Sequence, residues 1–402
     1  MKISIVTMKF PTPSEAFTSV DINALLNLGN TVHVYSMLPK HKQHEKLYKE
    51  RHNDKSGLCL FHCNYINYSI TALKLILNPS KLYMCILWLY KANLRAINFL
   101  KSFLLLPSAF NIYNSIVSEQ PNIVHLYWGH YPSLVIFLLK SYNSSIKYTM
   151  FLGAYDLELA LNTSIIMSKY ADYVFTHSNY NKIQLIRLGV CENKIKVIYR
   201  GININSNLTC NISNKMINTN NPTFLTGCRL IKEKGVDEVI SIFNCVLLSF
   251  PNSILYIAGD GPEKHNLIRI VSNLGIEQNV VFLGHINQNL FFDYMCRSDF
   301  FILMTRYNGD RLPNVLKEAM YRKCICITTL SKGIRELISH KNNALILDKK
   351  EDVVYYLKSL KNSNRVQLNV MKETAQYSII KKFNVENTIR NYIQTWESII
   401  SI

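Results

Sequence analysis

Two carboxylates and two cations in the C-terminal half of this chain have the types and spacing to handle an anionic ligand. In GDRLPNVLKEAM, residues 309–320, Asp310 and Glu318 lie on either side of Pro313. Proline suits the first turn of a helix, where its missing N–H is no loss. A helix starting there places the backbone from Leu312 through Pro313 and Asn314 to Val315 at a positive helix end, where an anion or a sugar can sit. Taken singly, such an Asp is a helix cap and such a Glu a solvated surface group. Upstream, GCRLIKEKGVDEVI, residues 227–240, places Arg229 and Lys234 after a strand-like run that ends at Gly227. Fixed cations can stabilise charge developing on a departing anion where a metal would otherwise be needed. Two further segments, AGDGPEKHNL (258–267) and VVFLGHI (280–286), bring Gly259 and Gly261, then Gly284, His285 and Ile286. Glycine there permits tight turns beside a ligand or for purely structural ends.

These residues need a frame, and short β-branched runs supply it. KISIVTM, TVHVYSM, NIVHLYW, IKYTMFL, DYVFTHS and KIKVIYR form one series, and TFLTGCR, SILYIAG, NVVFLGH, DFFILMT, CICITTL and ALILD a second, with helical patterns between. Two successive βα arrays predict an α/β protein of two Rossmann-like parallel-sheet domains facing across a cleft. The expected domains are 1–203 and 223–380, joined by an Asn/Ser/Thr-rich linker over 204–222, with a C-terminal helix over 381–402 packing back toward the first domain. Ligands in such folds bind at the carboxyl ends of strands, so the loops carry the chemistry. The first loop, TMKFPTPSEAF, lacks Gly-x-Gly-x-x-Gly, and its first glycine is Gly29, which argues against a dinucleotide enzyme.

With 402 residues, 48% of them hydrophobic, the chain can build two cores. Its formal net charge of +18 calls for an anionic partner. Residues 1–202 hold 21 Lys/Arg against 10 Asp/Glu, and no acidic residue lies between Asp54 and Glu119. Lys74, Lys81, Lys91, Arg95 and Lys101 alternate there with apolar runs, a pattern that suits an anionic lipid surface and not nucleic acid. Read as one helix, Lys81 to Phe103 sets Lys91, Arg95, Asn98 and Ser102 on a polar stripe, and its longest apolar run is too short to span a bilayer; an interfacial helix and an ordinary amphipathic core helix share this periodicity. Ten scattered cysteines, with no second pair at ligand spacing beside Cys59 and Cys63, read as buried thiols; with no secretory signal at the N-terminus, a reducing cytoplasm is expected.

Over most of its length the chain resembles family 4 of the retaining glycosyltransferases, which has the GT-B architecture. The core of the resemblance is GDRLPNVLKEAM, similar to the family's acid-x7-Glu segment, with GCRLIKEKGVDEVI, AGDGPEKHNL and VVFLGHI in order before it. The resemblance implies that Arg229 and Lys234 grip a diphosphate, Asp310 contacts the donor sugar, Glu318 accepts hydrogen bonds from the donor ribose, and the base meets backbone near Gly284 to Ile286. No metal or other cofactor is then required. The first half matches more loosely: FPTPSEAF, with Ser14 and Glu15, is similar to the opening loop of a branch found with O-antigen and capsule synthesis, and THSNYNKIQLIRLGVCENKIKVIYRGIN closes the domain. His130 in NIVHLYWGH and Asp156 in FLGAYDL are acceptor-side candidates. Leu152 stands where the family often has histidine, and Arg311 and Tyr321-Arg322-Lys323 where small residues are usual. The implied activity is transfer of a sugar from a nucleoside-diphosphate sugar to a lipid-linked oligosaccharide, by a protein peripheral on the inner face of the cytoplasmic membrane. Two rivals share the architecture: a nucleotide-sugar epimerase, and an inactive nucleotide-binding protein at the membrane.

Overall fold

The computed structural model describes the chain except residues 53–55, 93–94, 143–144, 160, 205–216, 219, 308, 348–364 and 402. Most of the expected linker, 204–222, lies outside the described residues. The chain divides into two compact units, Met1–Arg200 with Val385–Ile402, and Gly201–Asn384.

The first unit holds β1 (Lys2–Thr7), β2 (Thr31–Ser36), β3 (Leu58–His62), β4 (Ile123–Leu126), β5 (Tyr148–Phe151), β6 (Tyr173–Thr176) and β7 (Ile195–Val197). All pair in parallel, in the order β3-β2-β1-β4-β5-β6-β7. Central strands are buried on both faces, which is why they read as near-continuous apolar runs. β3 is the strand the sequence patterning leaves unread. Its LCLFH alternates between half-buried and exposed at the sheet edge, so it carries no continuous apolar signal.

Helices α1 (Ala16–Asn27), α2 (His44–His52), α3 (Tyr65–Ile76), α4 (Pro79–Lys91), α5 (Ala96–Glu119), α6 (Ser133–Ser141), α7 (Ala154–Leu159), α8 (Asn162–Ser168) and α9 (Asn179–Arg187) connect these strands. One face of the sheet packs under α5 and α6, where Leu106, Ala109, Leu134 and Leu138 are buried. The other packs under α1 and the C-terminal helix, where Ile22, Leu25, Ile389 and Trp396 are buried and the Trp396 Nε1–H donates to Thr149 Oγ1 at 3.1 Å.

The single helix expected from Lys81 to Phe103 is two. α4 ends as Ala92 N donates to Trp88 O at 2.9 Å, and α5 starts at Ala96. Cys85 and Leu89 fix the phase of α4 in the core, and Trp88 stacks on Phe137 with centroids 4.0 Å apart. α5 has its own phase, which buries Ser102 and exposes Leu100, against the expected stripe.

The second unit holds β8 (Thr223–Gly227), β9 (Ile254–Ala258), β10 (Val280–Gly284), β11 (Phe300–Leu303), β12 (Ile325–Thr329) and β13 (Leu345–Leu347), all parallel, in the order β10-β9-β8-β11-β12-β13. Its helices are α10 (Val236–Leu247), α11 (Lys264–Asn273), α12 (Gln288–Arg297), α13 (Asn314–Tyr321) and α14 (Arg365–Lys382). The last helix, α15 (Val385–Ile400), belongs to the first unit, and α14 packs on α13 within the second. Cys296 is disulfide-bonded, which departs from the expectation of thiols throughout; the other eight described cysteines form no disulfide.

Candidate functional site

In the second unit the strand order reverses between β8 and β11, and the crevice at their carboxyl ends is where a doubly wound sheet receives its ligand. The loops leaving these two strands carry Lys234 and Asp310, and the two side chains are hydrogen-bonded to each other. Thr305 Oγ1 also donates to Asp310 Oδ2 at 2.7 Å, and Ser331 Oγ, after β12, donates to Asp310 O at 3.0 Å. The carboxylate is thus held by Lys234 from the β8 loop and by Thr305 from its own loop, while Ser331 holds the backbone of Asp310.

Gly235 makes this approach possible. Its φ is +64°, and a Cβ placed there would lie 1.9 Å from Met304 O, at the end of β11. Any side chain would force the β8 loop away and take Lys234 with it. Arg306 reinforces the same contact by a fork to Asp237 at 2.9 and 3.0 Å, at the start of α10.

The helix expected around Pro313 is α13, with Pro313 at its N-cap and Asn314 and Val315 in its first turn. Its first amides have no intrahelical acceptor. Leu312 is buried and Pro313, Asn314 and Val315 are half-buried. Glu318 follows on the same helix, half-buried, with no hydrogen-bond partner for its carboxylate among the described residues. Burial pushes this carboxyl up to about 7, against the opposing pull of Arg322 and Lys317. Both cations are themselves buried: Arg322 lies 3.4 Å from the Phe292 ring centroid and donates to Glu318 O at 3.2 Å, and Lys317 donates to Asn314 Oδ1 at 3.0 Å. A carboxyl near 7 is poised to ionise when a ligand hydroxyl or cation reaches it.

Arg229 is exposed on the β8 loop, apart from the Lys234–Asp310 contact. Gly227 ends β8, and the Phe291 ring stands 2.2 Å from where its Cβ would be. Gly259 and Gly261 press the β9 loop against the β8 loop, since a Cβ would lie 1.9 Å from Cys228 O or 2.4 Å from Leu230 O. Gly284, with φ +65°, turns the chain out of β10, and Gly259 N donates to its carbonyl at 2.8 Å. His285 is exposed and Ile286 half-buried beyond that turn.

The first unit reverses its strand order between β1 and β4. Its acceptor-side candidates follow β1, β4 and β5. His130 Nδ1 lies 3.0 Å from Asp156 Oδ1, and Gly153 N donates to Asp156 Oδ2 at 2.9 Å. Asp156 is thereby fixed from two sides, and it orients the imidazole. Glu15 joins this cluster: burial raises its carboxyl, with Trp128 and the charges of His130 and Arg200 opposing. The side chain of Ser14 lies outside the described residues. Leu152 is fully buried and takes no part.

Sequence reasoning did not single out Thr305, Ser331, Trp128 or Arg200. Thr305 closes the run DFFILMT at the carboxyl end of β11, and that position was the available signal. Arg200 sits over the rings of Phe17, Phe151 and Tyr127 at 4.2, 5.0 and 5.4 Å, a packing that only the fold assembles.

Comparison with known proteins bears on this geometry. Residues 211–377, which contain Arg229, Lys234, Asp310 and Glu318, match the family described as glycosyl transferases group 1. Over this segment the chain is similar to the group 1 glycosyltransferases. The chain is 25% identical over 307 residues to an uncharacterized glycosyltransferase of Haemophilus influenzae, covering 75% of this chain and 76% of that one. It is 35% identical over 122 residues to the O-antigen biosynthesis glycosyltransferase WclY of Escherichia coli, covering 29% of this chain and 32% of that one. Among solved structures, Anabaena Alr3699/HepE, crystallised with UDP and glucose, superposes with a TM-score of 0.70 at 15% identity, over 99% of this chain and 100% of that chain. That likeness establishes the fold: two parallel-sheet domains as in GT-B glycosyltransferases.

Proposed function

We propose that this protein transfers a sugar from a nucleoside-diphosphate sugar to a hydroxyl of a lipid-linked oligosaccharide, with retention of configuration, in O-antigen, lipopolysaccharide or capsule synthesis at the inner face of the cytoplasmic membrane. The observation that carries the reading is the meeting of Lys234 and Asp310 at the β8/β11 reversal, on the same sheet edge that α13 and Glu318 serve. Relatives in O-antigen synthesis and a structural neighbour solved with UDP support the donor class and the setting.

In this reading the nucleoside diphosphate lies along the β8 loop. Arg229 and Lys234 meet its phosphates, the amides from Leu312 to Val315 add their positive end, and Glu318 receives the ribose hydroxyls. Lys234 exchanges Asp310 for phosphate as the donor enters, which frees Asp310 for the sugar. The bond from the anomeric carbon to the phosphate oxygen breaks, and the acceptor oxygen bonds to that carbon on the same face. The acceptor proton passes to the departing phosphate. The chain supplies positioning and charge and no nucleophile of its own. His130, held by Asp156, and the raised Glu15 are the acceptor-side groups of the first unit.

Product analysis tests the proposal. Purified protein is incubated with a panel of nucleotide sugars, with and without a lipid-linked acceptor extract. Acceptor-dependent release of nucleoside diphosphate, with a glycosylated lipid product, is expected. An isomerised free nucleotide sugar formed from donor alone would make the chain an epimerase, and binding without any turnover would refute catalysis.

A further inference from the structure

The first unit carries a broad apolar surface that faces solvent. On α3, Ile66, Ile70, Leu73 and Leu77 recur at spacings of four, three and four and are 67%, 48%, 57% and 74% exposed. The opposite side of the helix, with Thr71 and Leu75, is the buried one. On the first turns of α5, Ile97, Leu100 and Leu104 are each more than half exposed. The two faces adjoin, because Tyr68 Oη donates to Leu104 O at 2.7 Å and Thr71 is hydrogen-bonded to Asn111. Side chains this large, gathered on neighbouring helices, mark a surface that meets an apolar phase.

The charge around this face selects the phase. Lys74 on α3 and Lys101 on α5 are exposed beside the apolar stripe, and Lys81, Lys91 and Arg95 are exposed nearby. From residue 55 to residue 118 the sequence has no Asp or Glu. A second copy docked through the same face would set lysines against lysines, which opposes association. A bilayer with anionic headgroups offers apolar depth and negative charge together. Among the described residues no single helix is long and apolar enough to cross a membrane; α3 and α4 reach that length and apolarity only as a pair, broken by a 96° bend.

We infer that the α3/α5 face seats the first unit on an anionic lipid surface, with Ile66, Ile70, Leu73, Leu77, Leu100 and Leu104 entering the interface and Lys74 and Lys101 pairing with headgroups. This moves the docking surface from the Lys81–Phe103 segment, favoured in sequence by the acid-free stretch around it, to α3 and the start of α5, because α4 turns much of its apolar side inward. The inference deepens the proposed reading by naming the surface through which the enzyme meets the membrane that bears its acceptor.

Co-sedimentation of the full chain with vesicles tests it. The protein should pellet with phosphatidylglycerol/phosphatidylethanolamine vesicles at low salt, be released by high salt, and stay in solution with phosphatidylcholine alone. The double variants Ile70→Glu/Leu73→Glu and Lys74→Glu/Lys101→Glu should each lower partitioning at least about tenfold, with thermal unfolding and UDP affinity unchanged. Wild type left in the supernatant, or variants that pellet like wild type, would overturn the inference. So would a salt-resistant dimer abolished by Ile70→Glu/Leu73→Glu without vesicle binding, which would assign the face to a second copy. Turnover of nucleotide sugar is read separately: vesicle binding without turnover keeps this surface and removes the transferase reading, and turnover without vesicle binding does the reverse.

Discussion

In the proposed reading Glu318 would couple nucleotide binding to a proton. In the folded chain its carboxyl is raised from 4.5 to about 7 by burial. The folded state therefore holds a proton that the unfolded chain releases, and stability contributed at this position declines as pH rises from about 4.5 to about 7. The full shift corresponds to ~3 kcal/mol, an upper figure because the side chain keeps some contact with water. A nucleotide whose ribose hydroxyls donate to the carboxylate favours the charged form and returns the group toward its ordinary range. UDP binding should then release about three-quarters of a proton at pH 6.5, and affinity should rise about 25-fold between pH 5.5 and pH 8 beyond the titration of UDP itself. Titration calorimetry in buffers of different ionisation enthalpy measures the proton count, and Glu318→Gln supplies the reference, since it cannot release one. An equal pH dependence of UDP affinity in wild type and Glu318→Gln would refute the placement of Glu318 against the ribose.

Other expectations follow from the same geometry. Asp310→Asn should slow transfer about ten- to a hundredfold with the fold intact, as one charged hydrogen bond to the sugar is lost. Lys234→Ala should weaken UDP binding by a similar factor, and unchanged kinetics in both variants would remove the site. If Arg229 and Lys234 hold the diphosphate charge as proposed, transfer should continue in excess chelator; a strict requirement for magnesium or manganese, read by product formation before and after metal addition, would place that role elsewhere. Gly235→Ala should destabilise the second unit by roughly 2–4 kcal/mol, from a positive φ and a clash with Met304 O, and should lower activity in whatever fraction folds. Denaturant unfolding followed by circular dichroism measures that loss.

Much of this was legible in the chain itself. Twelve of the strands announce themselves as β-branched runs: the central ones are covered on both faces and must be apolar throughout, and the edge strands β7 and β10 keep their Val and Ile although partly exposed. β3 escaped because its LCLFH, at a sheet edge and alternately exposed, contains no β-branched residue. Pro313 marked the start of α13, and the spacing of Asp310 and Glu318 about it put both on the loop and helix that follow β11. Sequence alone also set the charge balance, since the acid-free stretch from 55 to 118 needs no fold to be read. Tertiary structure decided the rest. Lys234 and Asp310 are remote in sequence and meet only because the strand order reverses between β8 and β11 and Gly235 allows the close approach. The ionisation of Glu318 depends on what buries it, and periodicity carries no record of that. Likewise, 3.6-residue spacing marks two sides of a helix without saying which faces water, so α3 and α4 look alike as sequence. Trp88 of α4 stacks on Phe137 of α6 with Leu89 buried beside it, whereas among the described residues Ile70 and Leu73 of α3 stay open to solvent.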